Sequence, residues 1–473
     1  MLNGIGSSVL RNLISAGSSV NTTVNSKATQ SNLQAEASTK VTFSEDSEAI
    51  AAIYKIEPAQ VQNSGAIGSN IQAQLNAAAQ TGGVGMSGIG SNLLSNLLQN
   101  RDNVTLSVPA TESSGATNGS QSAVALTVTT QSGIQVSLQM TRQQGGLVVE
   151  LNTSGGKLSN DEATAISQLS DGLQKALDGL DASSTQLDIA DLMKFDTSQL
   201  KSVDLKTDLR NGDNVTQSLN LHADDKERWL GFHNGDVSIK LDTDVSKLTQ
   251  AGSADQQAAA LDQWATKFDQ AAARGHGDRT MLNLFKDSFR ALNTTEGQAS
   301  HSVNTQRVIS IDANAAKNGA ISGLADFSAS YQQTPRSGNP YKPEEQDTFS
   351  LDVAQQTRSQ QHSDTQDLTQ DTLFKLKASF HTALDSDGDA KLTALKSSQN
   401  YRYHLINDEE RSQTSVSQNK KGELAAQTTQ QITQHETVKS YQQAKLIDSV
   451  EIPHSEKSVT AHQYARALFE SEI

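Results

Sequence analysis

The chain of 473 residues is long enough for two or three domains, so its size does not limit the formation of a core. It contains 38 basic and 53 acidic residues, and the net charge of −15 argues against nucleic acid or an anionic membrane as the main partner. Cysteine is absent, which excludes disulfides, thiolate catalysis and cysteine-ligated metal centres.

The hydrophobic share of the sequence is low. Only 35% of the residues are hydrophobic and 4% are aromatic, so we expect a thin core with poorly ordered stretches beside it. No apolar run reaches the length of about 18–20 residues that a transmembrane helix needs, and the N-terminus lacks the pattern of a secretory signal peptide. We therefore expect a protein that is either cytoplasmic or exported by a route without a cleavable signal, and the sequence does not choose between the two.

Residues 1–120 are predicted to form a low-complexity arm with short amphipathic helices. The pattern at residues 4–14 returns at 88–98, and a partial third copy begins at 67–71. In the two full copies the apolar residues recur three to four positions apart, as on one face of a short helix. Such helices are marginal alone. They either dock on the core of this protein or bind a protein partner, a chaperone or a membrane surface.

Residues 121–334 are predicted to be the main α+β domain. Alternating apolar residues indicate strands at 124–130, 134–141 and 147–152. Ser159 followed three residues later by Glu162 predicts a capping box, in which each side chain binds a free backbone amide of the first helical turn. The helix that follows carries one apolar stripe, formed by Ile166, Leu169, Leu173, Leu177 and Leu180.

An antiparallel meander is predicted next. Its strands are expected at 203–209, 215–222, 228–232 and 237–241. Asn211-Gly212 and Asn234-Gly235 separate two of the strand pairs, and Asn-Gly favours the tight hairpin turn because both residues tolerate a positive φ.

A helical hairpin and another strand pair complete the predicted main domain. The first helix is lined by Trp264 and Phe268 and the second by Phe285 and Phe289, with Ser253 as the expected N-cap of the first. The strand pair is expected at 303–311 and 324–331.

Beyond the main domain, residues 335–347 contain half of the six prolines and are predicted to be a linker or an extended exposed crossing. Residues 348–473 are predicted to form a C-terminal extension of strand plus helices, with strands at 349–353 and 401–406. The apolar residues that predict its first helix are Leu368, Leu373, Leu376, Phe380 and Leu384. Further helical pieces are expected at 438–447 and 459–469.

The sharpest chemical signal is the acidic cluster Asp385, Asp387 and Asp389. Three carboxylates at alternate positions resemble the first half of an EF-hand loop, in which oxygen ligands surround calcium. However, Ala390 stands where that loop needs glycine, and Lys396 stands where it needs the bidentate glutamate. The cluster is therefore either a weak calcium site or a solvated acidic turn, and calcium is the only cofactor that the sequence suggests.

Other candidate sites have weaker support. Residues 83–88 match the glycine pattern of dinucleotide-binding loops, but no strand precedes them. His222 and His233 lie on neighbouring predicted strands, where they either share a metal or form an exposed strand pair. No catalytic signature is present, so we assign no catalytic or cofactor-binding residue.

We therefore expect an α+β protein with antiparallel β-meander sheet covered by amphipathic helices, a loosely ordered N-terminal arm and a helical C-terminal extension. Its composition is similar in style to bacterial exported or appendage-associated proteins, although no motif carries that resemblance. The function that we expect is a non-enzymatic bacterial interaction or structural protein, which binds a protein partner through the N-terminal amphipathic segments. The alternatives are a hydrolase whose site forms only in the fold and a weak calcium-binding surface protein.

Overall fold

The structure is a computed structural model, which describes residue 94 and residues 104–109, 120–143, 146–180, 187–211, 214–246, 254–294, 319–362, 365–420 and 423–464. All of these residues belong to one compact unit, which comprises residues 63–473. The predicted arm helices at 4–14 and 67–71, the candidate loop 83–88, Ser253 and the predicted strand 303–311 lie outside the described residues.

The strands are β1 (Val104–Pro109), β2 (Ser120–Thr130), β3 (Gln135–Gln143), β4 (Gly146–Ser154), β5 (Leu200–Asn211), β6 (Asn214–Ala223), β7 (Glu227–Asn234), β8 (Val237–Asp244), β9 (Asp326–Gln333), β10 (Arg336–Ser337), β11 (Gln346–Gln361), β12 (Thr365–Ala383), β13 (Tyr401–Asn419), β14 (Leu424–Gln442) and β15 (Lys445–Tyr464). In the described chain all but β10 form one continuous antiparallel sheet, in the order β1-β4-β3-β2-β5-β6-β7-β8-β9-β11-β12-β13-β14-β15. The short strand β10 pairs with β11 outside this path. All steps except β1-β4, β2-β5 and β9-β11 join strands that are consecutive in the chain, so the predicted antiparallel meander is confirmed and extends further than expected.

The helices are α1 (Asn160–Ser167), α2 (Leu169–Gly179), α3 (Ala190–Met193), α4 (Ala254–Gly275) and α5 (Arg279–Asn293). Helix α1 contacts β5, α5 contacts β7, β8 and β9, and α4 contacts β12. None of the helices in the described part of the chain has the length and apolar character of a membrane-spanning helix.

Alternation of side chains along the strands explains where the core lies. In β8 the side chains of Val237, Ile239 and Leu241 are buried, whereas Ser238 and Lys240 between them are not. Successive residues of a strand point to opposite faces, so one face of the sheet supplies the core and the other meets solvent. The main core joins this apolar face to the helices and runs from β2 to β13.

The predicted capping box at Ser159 is confirmed. The backbone N–H of Glu162 donates to Ser159 Oγ at 3.1 Å, and the backbone N–H of Ser159 donates to Glu162 Oε2 at 2.9 Å. Ser132 also donates to Glu162 Oε1, and these hydrogen bonds together lower the pKa of Glu162 to about 2 although burial opposes them. The helix was expected to continue unbroken to Leu180, but a break at Gln168 divides it into α1 and α2.

Helices α4 and α5 pack through aromatic rings. Trp264 and Phe268 of α4 meet Phe289 of α5, and Trp264 and Phe289 both lie edge-on to Phe327 of β9. A Cβ atom added to Gly275 would lie only 2.9 Å from the ring of Phe349, which shows that the end of α4 approaches the sheet closely. The predicted helical hairpin on the sheet is therefore confirmed.

The prediction of a helical C-terminal extension is wrong. The predicted helix containing Leu368, Leu376 and Phe380 is the 19-residue strand β12, which pairs with β11 and β13 along its length. Residues four apart lie on the same side of a helix and also on the same side of a strand, so this spacing does not distinguish the two. The even-numbered residues of β12, which include Phe374 and Ala378, carry the apolar face toward the helices.

The helical pieces predicted at 438–447 and 459–469 are also wrong over their described residues. Residues 438–442 belong to β14, and residues 445–447 and 459–464 belong to β15. The first segment contains two Gln and two Lys and the second contains three Ala, residues that favour helix. Long ladders of backbone hydrogen bonds with neighbouring strands override that local preference.

The predicted partition into 1–120, 121–334, 335–347 and 348–473 stays a prediction. The sheet itself continues from β9 to β11 by direct pairing of Leu351 with Tyr331, across the two ends of the proline-rich segment. Within the predicted arm, Leu94 of the second repeat copy is 1% exposed and packs into the main core. That residue fits the alternative in which the repeat docks on this protein's own core.

Candidate functional site

A polar cluster lies where the end of α4 meets β12, β13 and β14. We call it the helix-side cluster and define it by Arg274, Thr382, His404, Asp408 and Glu436. Strand pairing brings these positions together. His404 pairs with Phe380 of β12 and with Val438 of β14, and Thr382 and Glu436 each lie two residues from one of these partners, on the same face. Side chains at every second position then reach the same face as α4.

Thr382, His404 and Glu436 form a hydroxyl–imidazole–carboxylate chain. Thr382 Oγ1 lies 3.0 Å from His404 Nε2, and His404 Nδ1 lies 2.9 Å from Glu436 Oε1. A carboxylate only accepts hydrogen bonds, so Nδ1 donates to Glu436. Nε2 accepts from Thr382 when the ring is neutral and donates to it when the ring is charged. This order of groups is the one that activates a nucleophilic hydroxyl in hydrolases.

Burial limits what this chain can do chemically. Thr382 is 2% exposed, so a substrate carbonyl reaches its hydroxyl only if covering residues move away. The rings of His404 and His276 both stack on the ring of Phe380, with centroids 4.6 Å and 3.9 Å from it. Burial and the nearby His404 lower the pKa of His276, which favours a neutral ring in this stack. The geometry is that of a packed hydrogen-bond network that orders three strands.

Arg274 connects the helix to the same network by charge. Its guanidinium donates to both carboxylate oxygens of Asp408 and, at 3.2 Å, to Glu436 Oε2. The Asp408 side chain is only 8% exposed, so it depends on Arg274 for compensation of its charge. Lys267, two turns earlier on α4, adds a 2.5 Å pair with Glu410. The amphipathic helix is thus fixed to β13 and β14 by ion pairs as well as by apolar contact.

A second polar cluster lies on the opposite face of β12 and β13, beneath the proline-rich crossing (residues 335–347). Tyr401 donates a 2.5 Å hydrogen bond to Glu345 Oε2, and His381 Nδ1 lies 2.6 Å from Asp347 Oδ1. Lys342 Nζ donates to Glu345 Oε1 at 3.2 Å and lies 3.5 Å from the centre of the Tyr441 ring.

Burial controls the charges in this second cluster. It raises the pKa of Tyr401, with the Glu345 carboxylate adding to the shift, and it raises the pKa of Tyr441 to about 12. Burial alone would raise the pKa of Glu345, but hydrogen bonds from Tyr401 and Lys342 lower it.

The crossing was expected to be a linker or exposed, and most of it is exposed, but Asn339 and Glu345 anchor it to the sheet.

The other distinctive surface is the outer edge of β15. No strand in the described chain pairs with that side of β15. Eight large hydrophobic residues are exposed in the described chain, and five of them lie on this strand: Leu446, Ile447, Val450, Ile452 and Val459. Val450 pairs with Val438 and Ile452 with Glu436, which places both on the face that carries α4. Leu446 pairs with Tyr441 and lies on the opposite face.

The structure places the predicted calcium ligands Asp385, Asp387 and Asp389 on an exposed loop between β12 and β13. Asp389 forms an isolated bridge with Thr382, and Asp387 Oδ1 lies 3.5 Å from Arg402 Nη1. Among the described residues, no group of three or more histidine, aspartate or glutamate side chains has the arrangement of a metal site. Calcium binding by this loop stays a prediction.

The two candidate histidines on the meander are not neighbours. His222 pairs with Trp229, whereas His233 pairs with Ser218 and Ser238, several residues further along the strands. His222 instead binds Asp204 at 2.6 Å and lies 3.6 Å from Asp224.

Sequence reasoning missed every residue of the helix-side cluster. Thr382 was assigned to a helix, and His404 and Glu436 are separated from it by 22 and 54 positions. The only local signal is alternation, since Phe380 and Thr382 in β12 share a face and so do His404 and Ile406 in β13. Without the strand register, that alternation does not show which strands are adjacent.

No family model, no curated protein and no solved structure matches this chain.

Proposed function

We propose that this protein is a non-enzymatic bacterial interaction or structural protein that binds an extended segment of a protein partner along the outer edge of β15. The observation that supports this proposal is the edge itself. It belongs to a strand of 20 residues, and five of the eight exposed large hydrophobic residues in the described chain lie on it.

Unpaired backbone groups explain why such an edge binds other chains. An edge strand presents a row of free N–H and C=O groups, which form main-chain hydrogen bonds with an added strand. Exposed apolar side chains then supply contact area on both sides of the new strand pair. Strand addition needs no catalytic residue, so it is compatible with the lack of a catalytic signature in the sequence.

The hydrolase alternative has one observation in its favour, the chain from Thr382 through His404 to Glu436. The 2% exposure of Thr382 weighs against it, because an acyl-transfer site must admit a substrate to the hydroxyl. Binding at β15 requires no such rearrangement.

The experiment uses a displayed library of random peptides of strand length, panned against the full chain. Enriched peptides are synthesised, and their Kd values are measured by fluorescence polarisation against the wild type and against the double variant Val450→Lys/Ile452→Lys. Lysine on an edge strand opposes strand addition, so we expect the double variant to weaken binding by about tenfold or more.

Leu395→Lys is the matched control, because Leu395 is also an exposed large hydrophobic residue, at 67%, but lies in the loop between β12 and β13. It should leave the Kd unchanged. The proposal fails if no peptide is enriched, or if the double variant binds the enriched peptides as tightly as the wild type does.

A further inference from the structure

We infer that the segment bound along β15 is β15 of a second copy of this chain, so that two sheets join antiparallel about a two-fold axis at His454. This inference rests on the proposed function, because it names the partner of the same edge. When the same edge of two identical strands pairs about a two-fold axis, the strands run antiparallel, and two-fold symmetry is the commonest symmetry of homodimers.

The length of β15 favours an axis at its centre. With the axis at His454, residue 448 of one copy lies opposite residue 460 of the other, so the pairing includes the regular part of β15 beyond its irregularity at residue 447. An axis displaced by several residues toward either end leaves part of each edge unpaired. Each unpaired residue forgoes main-chain hydrogen bonding, so central pairing yields the longest ladder.

Charge complementarity selects the same register. With the axis at His454, Glu451 of each copy lies opposite Lys457 of the other, which gives two ion pairs related by symmetry. Glu451 is available for this contact, because its side chain is 73% exposed and its nearest cationic group is His435 Nε2 at 4.0 Å. Opposite charges on directly facing residues stabilise an antiparallel strand pair.

Neighbouring registers are less favourable. An axis at Glu451 brings the two Glu451 carboxylates together. An axis at Ile452 sets Asp448 opposite Glu456. An axis at Pro453 opposes no like charges but also forms no ion pair. Like charges directly opposite each other destabilise a strand pair, so among these four registers the one centred on His454 combines central pairing with attraction.

Pro453 indicates which residues face the open side. Proline lacks an N–H, and edge strands place it with that position away from the neighbouring strand. The odd-numbered residues around it therefore direct their backbone groups outward, and His454 directs its groups toward β14. In the joined sheet the two His454 residues then form a non-hydrogen-bonded pair with Cα atoms about 4.5 Å apart. Pro453 removes one donor from each copy and leaves the remaining outward N–H groups available.

The first experiment exchanges the two charges in the full chain. Glu451→Lys and Lys457→Glu each place like charges opposite each other twice, so we expect each to weaken dimerisation by about tenfold in sedimentation equilibrium. The double variant Glu451→Lys/Lys457→Glu restores both pairs with reversed sign and should return to within about threefold of the wild type. Failure of the double variant to recover would overturn the register.

The second experiment exploits the absence of cysteine from the chain. His454→Cys places two thiols at a Cα separation that a disulfide accepts, so mild oxidation should give a covalent dimer. Val215→Cys, at an exposed position on β6 that lies eight strands from β15 in the sheet order, is the control and should remain monomeric under the same oxidation. Circular dichroism melting of each variant shows that it is folded.

The outcomes separate this inference from the proposed function. If the wild type stays monomeric while enriched peptides still bind the β15 edge, the second copy is overturned as the partner and the binding edge stands. If dimers form but neither charge exchange nor His454→Cys responds, another surface joins the copies and the inference is likewise overturned. Peptides that compete with dimerisation would support both.

Discussion

At the scale of single residues, His222 shows how partial burial and two carboxylates determine one charge. Its side chain is 17% exposed, stacks on Trp229, binds Asp204 at 2.6 Å and lies 3.6 Å from Asp224. Burial alone would lower the pKa of His222, but the hydrogen bonds and charges of the two aspartates outweigh it and raise the pKa to about 10. Burial also opposes ionisation of Asp224, yet the bond to His222 and backbone N–H donors lower its pKa to about 2.

These shifts predict how stability depends on pH. The raised pKa of His222 stabilises the fold fully below its ordinary value of 6.5, and this contribution is lost as the pH rises toward 10. The lowered pKa of Asp224 stabilises the fold above its ordinary value of 3.8, and this is lost as the pH falls toward 2. We expect His222→Gln to lower the free energy of unfolding by about 1.5–3 kcal/mol near pH 6, and by progressively less toward pH 10.

Urea denaturation at several pH values between 5 and about 10 measures this difference. His233→Gln is the control, because His233 is exposed on the neighbouring strand, and it should change the free energy of unfolding little at any pH. A constant difference between wild type and His222→Gln across this range would show that the imidazolium does not carry the effect.

At the scale of elements, α4 is held to the sheet by apolar packing along its middle and by charge at its end. Trp264 and Phe268 supply the packing, and Arg274 spans Asp408 and Glu436. The partners of Arg274 are mostly buried, with side chains 8% and 18% exposed. The pair between Arg290 of α5 and Asp262 of α4 is, by contrast, 47% and 69% exposed.

This difference in burial predicts that replacing arginine with methionine lowers the free energy of unfolding more at position 274 than at position 290. Arg274→Met leaves Asp408 buried without its cation and should lower the free energy of unfolding by roughly 2–4 kcal/mol, near the lower end for buried pairs because Arg274 is itself 31% exposed. Arg290→Met removes only an exposed pair and should cost less than about 1 kcal/mol. Denaturant unfolding of both variants measures the two values, and equal losses would contradict the role assigned to Arg274.

At the scale of the whole molecule, the apolar core and the helices bury some strands of the sheet and leave others exposed to solvent. The central strands β7, β8 and β9 lie beneath α5 and bury one residue in two. In β15, by contrast, every residue from 445 to 461 is exposed except Ser458, which is half-buried. The ladder between β14 and β15 is long, but little apolar area supports it.

Hydrogen exchange should therefore vary strongly between the two ends of the described sheet. Backbone amides of β8 should exchange only through global unfolding, whereas those of β15 should exchange through local opening at much lower free energy. Mass spectrometry of peptides from a dilute sample, in which self-association is minimal, measures both rates. Uniform protection from β8 to β15 would mean that the sheet opens as one cooperative unit. Added protection of β15 at high concentration would accompany pairing of two copies.

The sequence by itself determined the elements whose signals are local. The capping box at Ser159, the hairpin at Asn234-Gly235 and the aromatic faces of α4 and α5 each depend on residues within a few positions of one another. The hairpin forms where expected, although neither Asn234 nor Gly235 has the positive φ of the expected turn. Strands of the main domain were predictable for the same reason, because alternation with period 2 is visible within one strand.

Only the tertiary structure decided the C-terminal half and both polar clusters. Leu368, Leu376 and Phe380 satisfy a helical spacing and a strand spacing equally, and long pairing with β11 and β13 settles the choice. The chain of Thr382, His404 and Glu436 joins three strands, so it depends on a register that no local pattern contains. The open edge at β15 likewise follows from its place at one end of the described sheet order, since an edge is a property of the assembled sheet.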